Sequence, residues 1–178
     1  MTALKTAKWG AIVAGSLFVV TGFWALNTVR INLNGSSSLP HNAYVMWGWP
    51  KTIWHGAIIA AEPPAVYAER FEGFYFTKQV LGLPGDVITH DDAGNVCVHG
   101  TCFEIAQRDG KPFAPALAEG VIPDGMYAAF GTSADSLDSR YANIGLFARD
   151  KIAAVGFGTN AIPHWKELKA WADTPDGQ

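Results

Sequence analysis

The chain has 178 residues, a formal charge of −3, 49% hydrophobic and 16% charged residues. No basic cluster gathers anywhere, which argues against nucleic acid as a partner. Five scattered histidines and two cysteines offer no repeated ligand spacing, so neither a metal nor another cofactor is expected.

The chain opens on Lys5 and Lys8, then runs from Trp9 to Val29 without a charge before reaching Arg30. As a helix that run would extend about 31 Å, enough to cross a bilayer core. The positive-inside tendency then keeps the N-terminus cytoplasmic and exports the remainder. A cleaved signal peptide is the competing reading. Its apolar region usually spans only about 7–15 residues, however, and Asn27-Thr28-Val29 is a poor cleavage site. The expectation is an uncleaved anchor over residues 1–30 and one exported domain over residues 31–178. All 16 acidic residues fall in that domain, with all but three of the 13 basic ones.

Just past the anchor lies Ser36-Ser37-Ser38-Leu39-Pro40-His41-Asn42-Ala43-Tyr44. In isolation such a serine cluster before a proline reads as a turn or linker. A nucleophilic serine needs a base in reach and a site for the oxyanion. No histidine stands in a context that suggests a Ser-His-Asp set, but a Ser-Lys variant of that logic is available. Trp47, Trp49 and Trp54 follow, either as core residues or as a membrane-interface surface, since tryptophan favours the headgroup layer.

Short β-strands separated by Gly and Pro make up the rest. Candidates are Ala43–Trp47, Ala57–Ala61, Phe74–Leu81, Asp86–His90, a hairpin around Cys97 and Cys102, Met126–Gly131 and Ile152–Gly158. Pro64–Glu72 reads as a helical turn or two, Arg108–Val121 as loop, and Pro163–Asp173 as a terminal helix. The fold class is therefore mainly β, with one N-terminal transmembrane helix and a short C-terminal helix. His99-Gly100 is a tight-turn pair between the cysteines, and in an oxidising compartment a Cys97–Cys102 disulfide is the better reading.

Lys78 stands in Phe74-Tyr75-Phe76-Thr77-Lys78-Gln79-Val80-Leu81-Gly82-Leu83-Pro84-Gly85-Asp86, an apolar and aromatic strand-like run. Burial disfavours an ammonium and lowers its pKa, which is how a lysine becomes a general base. Taken alone, a lysine that snorkels from a strand edge to water is the plainer reading.

Serine-x-proline outside an anchor, lysine followed by Gly-Leu-Pro-Gly-Asp, and later Gly131-Thr132-Ser133-Ala134-Asp135-Ser136-Leu137-Asp138-Ser139-Arg140 occur in order. Together they resemble the type I signal peptidases, serine peptidase family S26. The short form Ser-x-Pro-x-x-x-Tyr, the size and the single anchor are similar to the TraF-type conjugative-transfer peptidases. The resemblance implies a signal-peptidase-like β domain with Ser38 as nucleophile and Lys78 as general base. It implies that the Ser36 hydroxyl and the Ser38 backbone N–H support the oxyanion. Ser136 would orient the lysine amine, and Asp138 and Arg140 would form a supporting ion pair. Gly82, Pro84, Gly85 and Asp86 would shape the turn after the lysine strand.

Two departures stand out. Asn42 replaces a common glycine, a place where a tolerance for positive φ would preserve the turn. Gly131-Thr132-Ser133-Ala134 replaces a Gly-Asp-Asn-Arg run. Ser37 is the runner-up nucleophile, since it restores a Ser-x-x-Pro spacing.

The implied function is a membrane-anchored serine endopeptidase that processes a pilin or other exported precursor for conjugative pilus assembly, by hydrolysis or by ring closure. Its implied setting is the inner membrane, with a periplasmic catalytic domain beside other conjugation-machinery components. A general signal peptidase of broad specificity is the alternative within the class. An inactive anchored β-domain that scaffolds a secretion channel is the alternative outside it.

Overall fold

The computed structural model describes residues 2–36 and 38–172. Helix α1 (Thr2–Thr28) leads without an intervening linker into strand β1 (Val29–Leu33). From Trp9 onward α1 is long and apolar enough to serve as a membrane anchor or an export signal. Its polar residues do not contradict this. Thr21, Asn27 and Thr28 donate back to the carbonyls of Leu17, Phe23 and Trp24, four residues earlier, at 2.6, 2.7 and 2.6 Å. Such back-bonding satisfies a side-chain donor within its own helix.

The remaining strands are β2 (Ala43–Trp47), β3 (Ile58–Ala61), β4 (Phe76–Gly82), β5 (Val87–His90), β6 (Val96–Val98) and β7 (Thr101–Phe103). They continue with β8 (Gln107–Arg108), β9 (Lys111–Pro112), β10 (Gly120–Val121), β11 (Met126–Phe130), β12 (Phe147–Ala148) and β13 (Ile152–Thr159). A curled seven-stranded sheet has the order β1-β2-β13-β3-β4-β11-β12, and a four-stranded sheet the order β10-β5-β6-β7. A short helix α2 (Trp165–Ala172) follows. The domain is mainly β, as the strand-and-turn pattern implies.

The main core gathers Ile59, Val80, Val96, Val98, Phe130 and Ile152 between the sheets. A second cluster of Leu39, Tyr44, Met46, Ile58 and Ala60 packs beneath the serine segment. Strand β3 contributes to both because all four of its residues are buried. Successive side chains of a strand point to opposite faces, so such a strand must be apolar throughout.

The hairpin of β6 and β7 closes through His99 and Gly100, both at positive φ (48° and 74°), with Val98 opposite Thr101. Glycine accepts this conformation readily, and two positive-φ residues match the twist of the flanking strands. Cys97 and Cys102 pair across the hairpin as a disulfide.

Four expectations need correction. The lysine strand starts at Phe76 rather than Phe74, leaving Phe74 and Tyr75 exposed ahead of it. The stretch expected as loop from Arg108 to Val121 contains β9 and β10, with β8 at its edge. Strands β1 and β12 were not foreseen. Asn42 does not take the left-handed conformation: it is held by donating its backbone N–H to Asn160 Oδ1 and its side-chain amide to Ile162 O, each at 3.0 Å. Short ladders carry too few residues for a readable period, and their partners lie far away in sequence. The tryptophans divide. Trp47 is half-buried, stacks on Trp54 with ring centroids 6.1 Å apart and meets Phe157 edge-on, whereas Trp49 is exposed.

Candidate active site

Strand β4 alternates strictly: Phe76, Lys78, Val80 and Gly82 are buried, while Thr77, Gln79 and Leu81 are half-exposed. The period of two therefore aims Lys78 into the protein, and it retains only 6% of its exposure. The edge-of-strand reading fails because β4 is an interior strand, between β3 and β11. Lys78 Nζ donates to Ser136 Oγ at 2.9 Å. Burial pulls the Lys78 pKa below its ordinary value. The charge of Asp138 opposes that, Arg140 adds to it, and Asp135 opposes it. A buried amine that loses its proton more easily gains a lone pair to accept another.

Ser136 is held close by Gly131, at the end of β11. A Cβ on Gly131 would overlap the Ser136 hydroxyl and come within 2.9 Å of the Ser38 carbonyl oxygen. The absence of a side chain there lets the two segments meet. The Ser38 carbonyl accepts from Thr132 N at 2.7 Å and Thr132 Oγ1 at 3.2 Å. The serine segment is thus tied by its backbone to the segment that carries Ser136.

Below this lies the Asp138–Arg140 pair, both fully buried. Arg140 Nε meets Asp138 Oδ1 at 2.8 Å and Nη2 meets Oδ2 at 2.9 Å. The remaining capacity is also filled. Asp138 Oδ2 accepts from Gly131 N at 2.8 Å, and Arg140 donates to the carbonyls of Gly131, Ala134 and Glu104. A bidentate pair with satisfied outer groups fixes direction as well as charge. Here it holds the loop from Gly131 to Arg140 from beneath.

Ser36, Ser38, Lys78, Ser136 and Asp135 line one cleft of about 670 Å³, with an aromatic wall that includes Phe74 and Tyr75. Tyr44 also faces it, and burial pushes its phenol up to about 12, so it stays neutral and brings no charge. The residues named from sequence motifs are therefore brought together. Ser37 lies outside the described residues. The turn after β4 follows expectation too: Gly85 takes φ 91°, and Asp86 Oδ2 accepts from Leu83 N at 2.7 Å.

Three residues of the site were missed: Asn34, Thr132 and Asp135. Asn34 carried a readable signal, since Asn-Gly followed by serine is a turn in which the Asn side chain binds the backbone two residues on. Thr132 and Asp135 carried none, because their roles depend on what the fold places opposite them.

The model of the family described as signal peptidase, peptidase S26, matches residues 3–165. The chain belongs to that family. Signal peptidases of this family are serine peptidases, and so the chain is a peptidase by membership. None of the curated proteins matches it.

Proposed function

We propose that this signal peptidase family member is a membrane-anchored endopeptidase in which Ser38 is the nucleophile and Lys78 its general base. The reading rests on one observation: the buried Lys78 amine is hydrogen-bonded to Ser136 in the cleft that Ser38 also lines. Ser136 accepts one N–H of the neutral amine and so turns the lone pair away from itself. Lys78 takes the Ser38 hydroxyl proton as Oγ attacks the carbonyl carbon of the scissile peptide bond. The negative charge passes to the carbonyl oxygen, supported by the Ser36 hydroxyl and the Ser38 backbone N–H. Protonated Lys78 then gives its proton to the leaving amine as the C–N bond breaks, leaving an acyl group on Ser38. Water, activated by the same lysine, releases the acid.

The substrate we propose is an exported precursor, and within that class a pilin matured for conjugation. Support for the narrower class is the form Ser38-Leu39-Pro40-His41-Asn42-Ala43-Tyr44, which resembles TraF-type peptidases. In that case a substrate amine replaces water and closes the pilin into a ring. Lys5 and Lys8 ahead of the apolar helix support an N-terminus in the cytoplasm and a periplasmic domain at the inner membrane.

The test is processing of a candidate pilin precursor in cells that express wild type, Ser38→Ala, Ser37→Ala or Lys78→Ala. Loss by roughly 10⁴-fold or more is expected for Ser38→Ala and Lys78→Ala, with Ser37→Ala active. Undiminished processing by Lys78→Ala would overturn the reading. Rescue of a strain that lacks its general signal peptidase would place the substrate range in the broader class.

A further inference from the structure

Resting on the peptidase reading above, we infer that Asn34 is a positioning residue that sets the oxyanion donors by holding the Ser36 hydroxyl and the two arms of the serine loop. Asn34 follows the last residue of β1 and is a buried polar side chain, 8% exposed. Its backbone N–H donates to Asn42 O at 3.0 Å, closing the base of the loop between β1 and β2. Its side chain then does two separate jobs. The amide nitrogen donates to Leu39 O at 2.8 Å and His41 O at 2.6 Å, on the returning arm. The amide oxygen accepts from Ser36 N at 3.0 Å and lies 3.4 Å from Ser36 Oγ, on the outgoing arm.

Both amide protons and both lone pairs of the Asn34 side chain are thus used within one loop. The set continues outward, because Ser38 N donates to Ser36 Oγ at 3.3 Å. The two groups expected to hold the oxyanion are therefore hydrogen-bonded to each other in the free protein, and Asn34 Oδ1 is the group that holds Ser36 from behind. When a substrate oxyanion arrives, the Ser36 O–H can rotate toward it, and the Ser38 N–H reaches it by a small rotation of its peptide plane, because the oxygen and nitrogen already sit side by side. No other side chain among the described residues reaches both arms of this loop with hydrogen bonds. Aspartate at 34 would keep the acceptor but set a carboxylate against two carbonyl oxygens. Alanine would release both arms.

The experiment is a double-mutant cycle on the full chain in detergent. It uses an internally quenched peptide with alanine on the acyl side of the scissile bond, and thermal unfolding is measured for every variant. Ser36→Ala is expected to lower kcat roughly 10²-fold, the scale of one lost oxyanion donor. Asn34→Ala is expected to lower kcat by about 10-fold or more with KM within about 3-fold, since misplacing a reacting group costs rate rather than binding. In the Ser36→Ala background, Asn34→Ala should cost less than about 3-fold, because the residue acts through a group already gone. Equal losses in both backgrounds would mean a purely structural role and overturn the inference, as would a loss confined to KM. If Asn34→Ala does not fold, Asn34→Ser, too short to hold both arms, takes its place in the same cycle. Cleavage that does not depend on Ser38 would sink the assignment of Ser38 as nucleophile, on which this inference rests. Ser38-dependent cleavage with no coupling between positions 34 and 36 would sink only this inference.

Discussion

Lys78 Nζ donates to Ser136 Oγ across 2.9 Å, joining an interior strand to the loop after β11, and both side chains are nearly shut off from water. In the proposed mechanism the hydroxyl would do for the amine what a third residue does in a catalytic triad, which is to fix its direction. Ser136→Ala is expected to lower kcat by about 10²-fold with little change in KM, because a buried amine free to rotate spends less time aimed at Ser38. Steady-state kinetics on a cleaved precursor check this, and an unchanged kcat would remove Ser136 from the machinery.

Activity should rise with pH as Lys78 loses its proton, over a range lying below the ordinary lysine value of 10.5. Asp135 lines the cleft, is exposed, and its charge favours the protonated amine. Asp135→Asn should therefore move the rising limb of the kcat/KM profile to lower pH without loss of fold. A limb that stays put or moves upward would show that Asp135 does not act on Lys78.

Burying Lys78 also has a signature in stability. Its folded pKa lies below its unfolded one, so at intermediate pH the unfolded chain holds a proton that the folded chain has released. Stability must then rise with pH, and the penalty is largest below the folded pKa and fades as pH approaches 10.5. Lys78→Met should unfold at a higher temperature than wild type near neutral pH, with the difference shrinking toward pH of about 10. A difference independent of pH would mean that Lys78 keeps its ordinary proton affinity in the folded protein.

The Asp138–Arg140 pair is buried, bidentate and bonded on its outer faces. Removing one partner leaves the other charge stranded, at a cost of about 3–5 kcal/mol. Arg140→Met and Asp138→Ala should each destabilise on this scale. Arg140→Lys should rescue only part of it, since an ammonium cannot reproduce the planar fork. Chemical denaturation of the three variants tests the order.

Gly131 gives a sharper contrast between space and chemistry. A methyl there would strike Ser136 and crowd the Ser38 carbonyl. Gly131→Ala should cost about 1–3 kcal/mol through overpacking. It should also reduce kcat, because the atoms that must move belong to the site. Full activity with lowered stability would show that the site accommodates the methyl by moving elsewhere.

Where local chemistry sufficed, the chain was legible. The apolar run after Lys8 reads as a helix because no charge interrupts it, and the Cys97–Cys102 hairpin reads from a two-residue turn between short strands. The order of the motifs around Ser38, Lys78 and Ser136 singled out three residues that the fold brings to one cleft. What remained open was whether Lys78 faces inward or reaches water. A period of two marks two faces of a strand but does not say which one is covered. Only the packing of β3 and β11 on either side of β4, with the second sheet laid over them, decided that. The same holds for Asn34, whose partners Leu39 and His41 come within reach only when β1 pairs with β2. Residue types and their spacing determined what chemistry this chain can host. The tertiary structure decided which groups are dry and which are tethered.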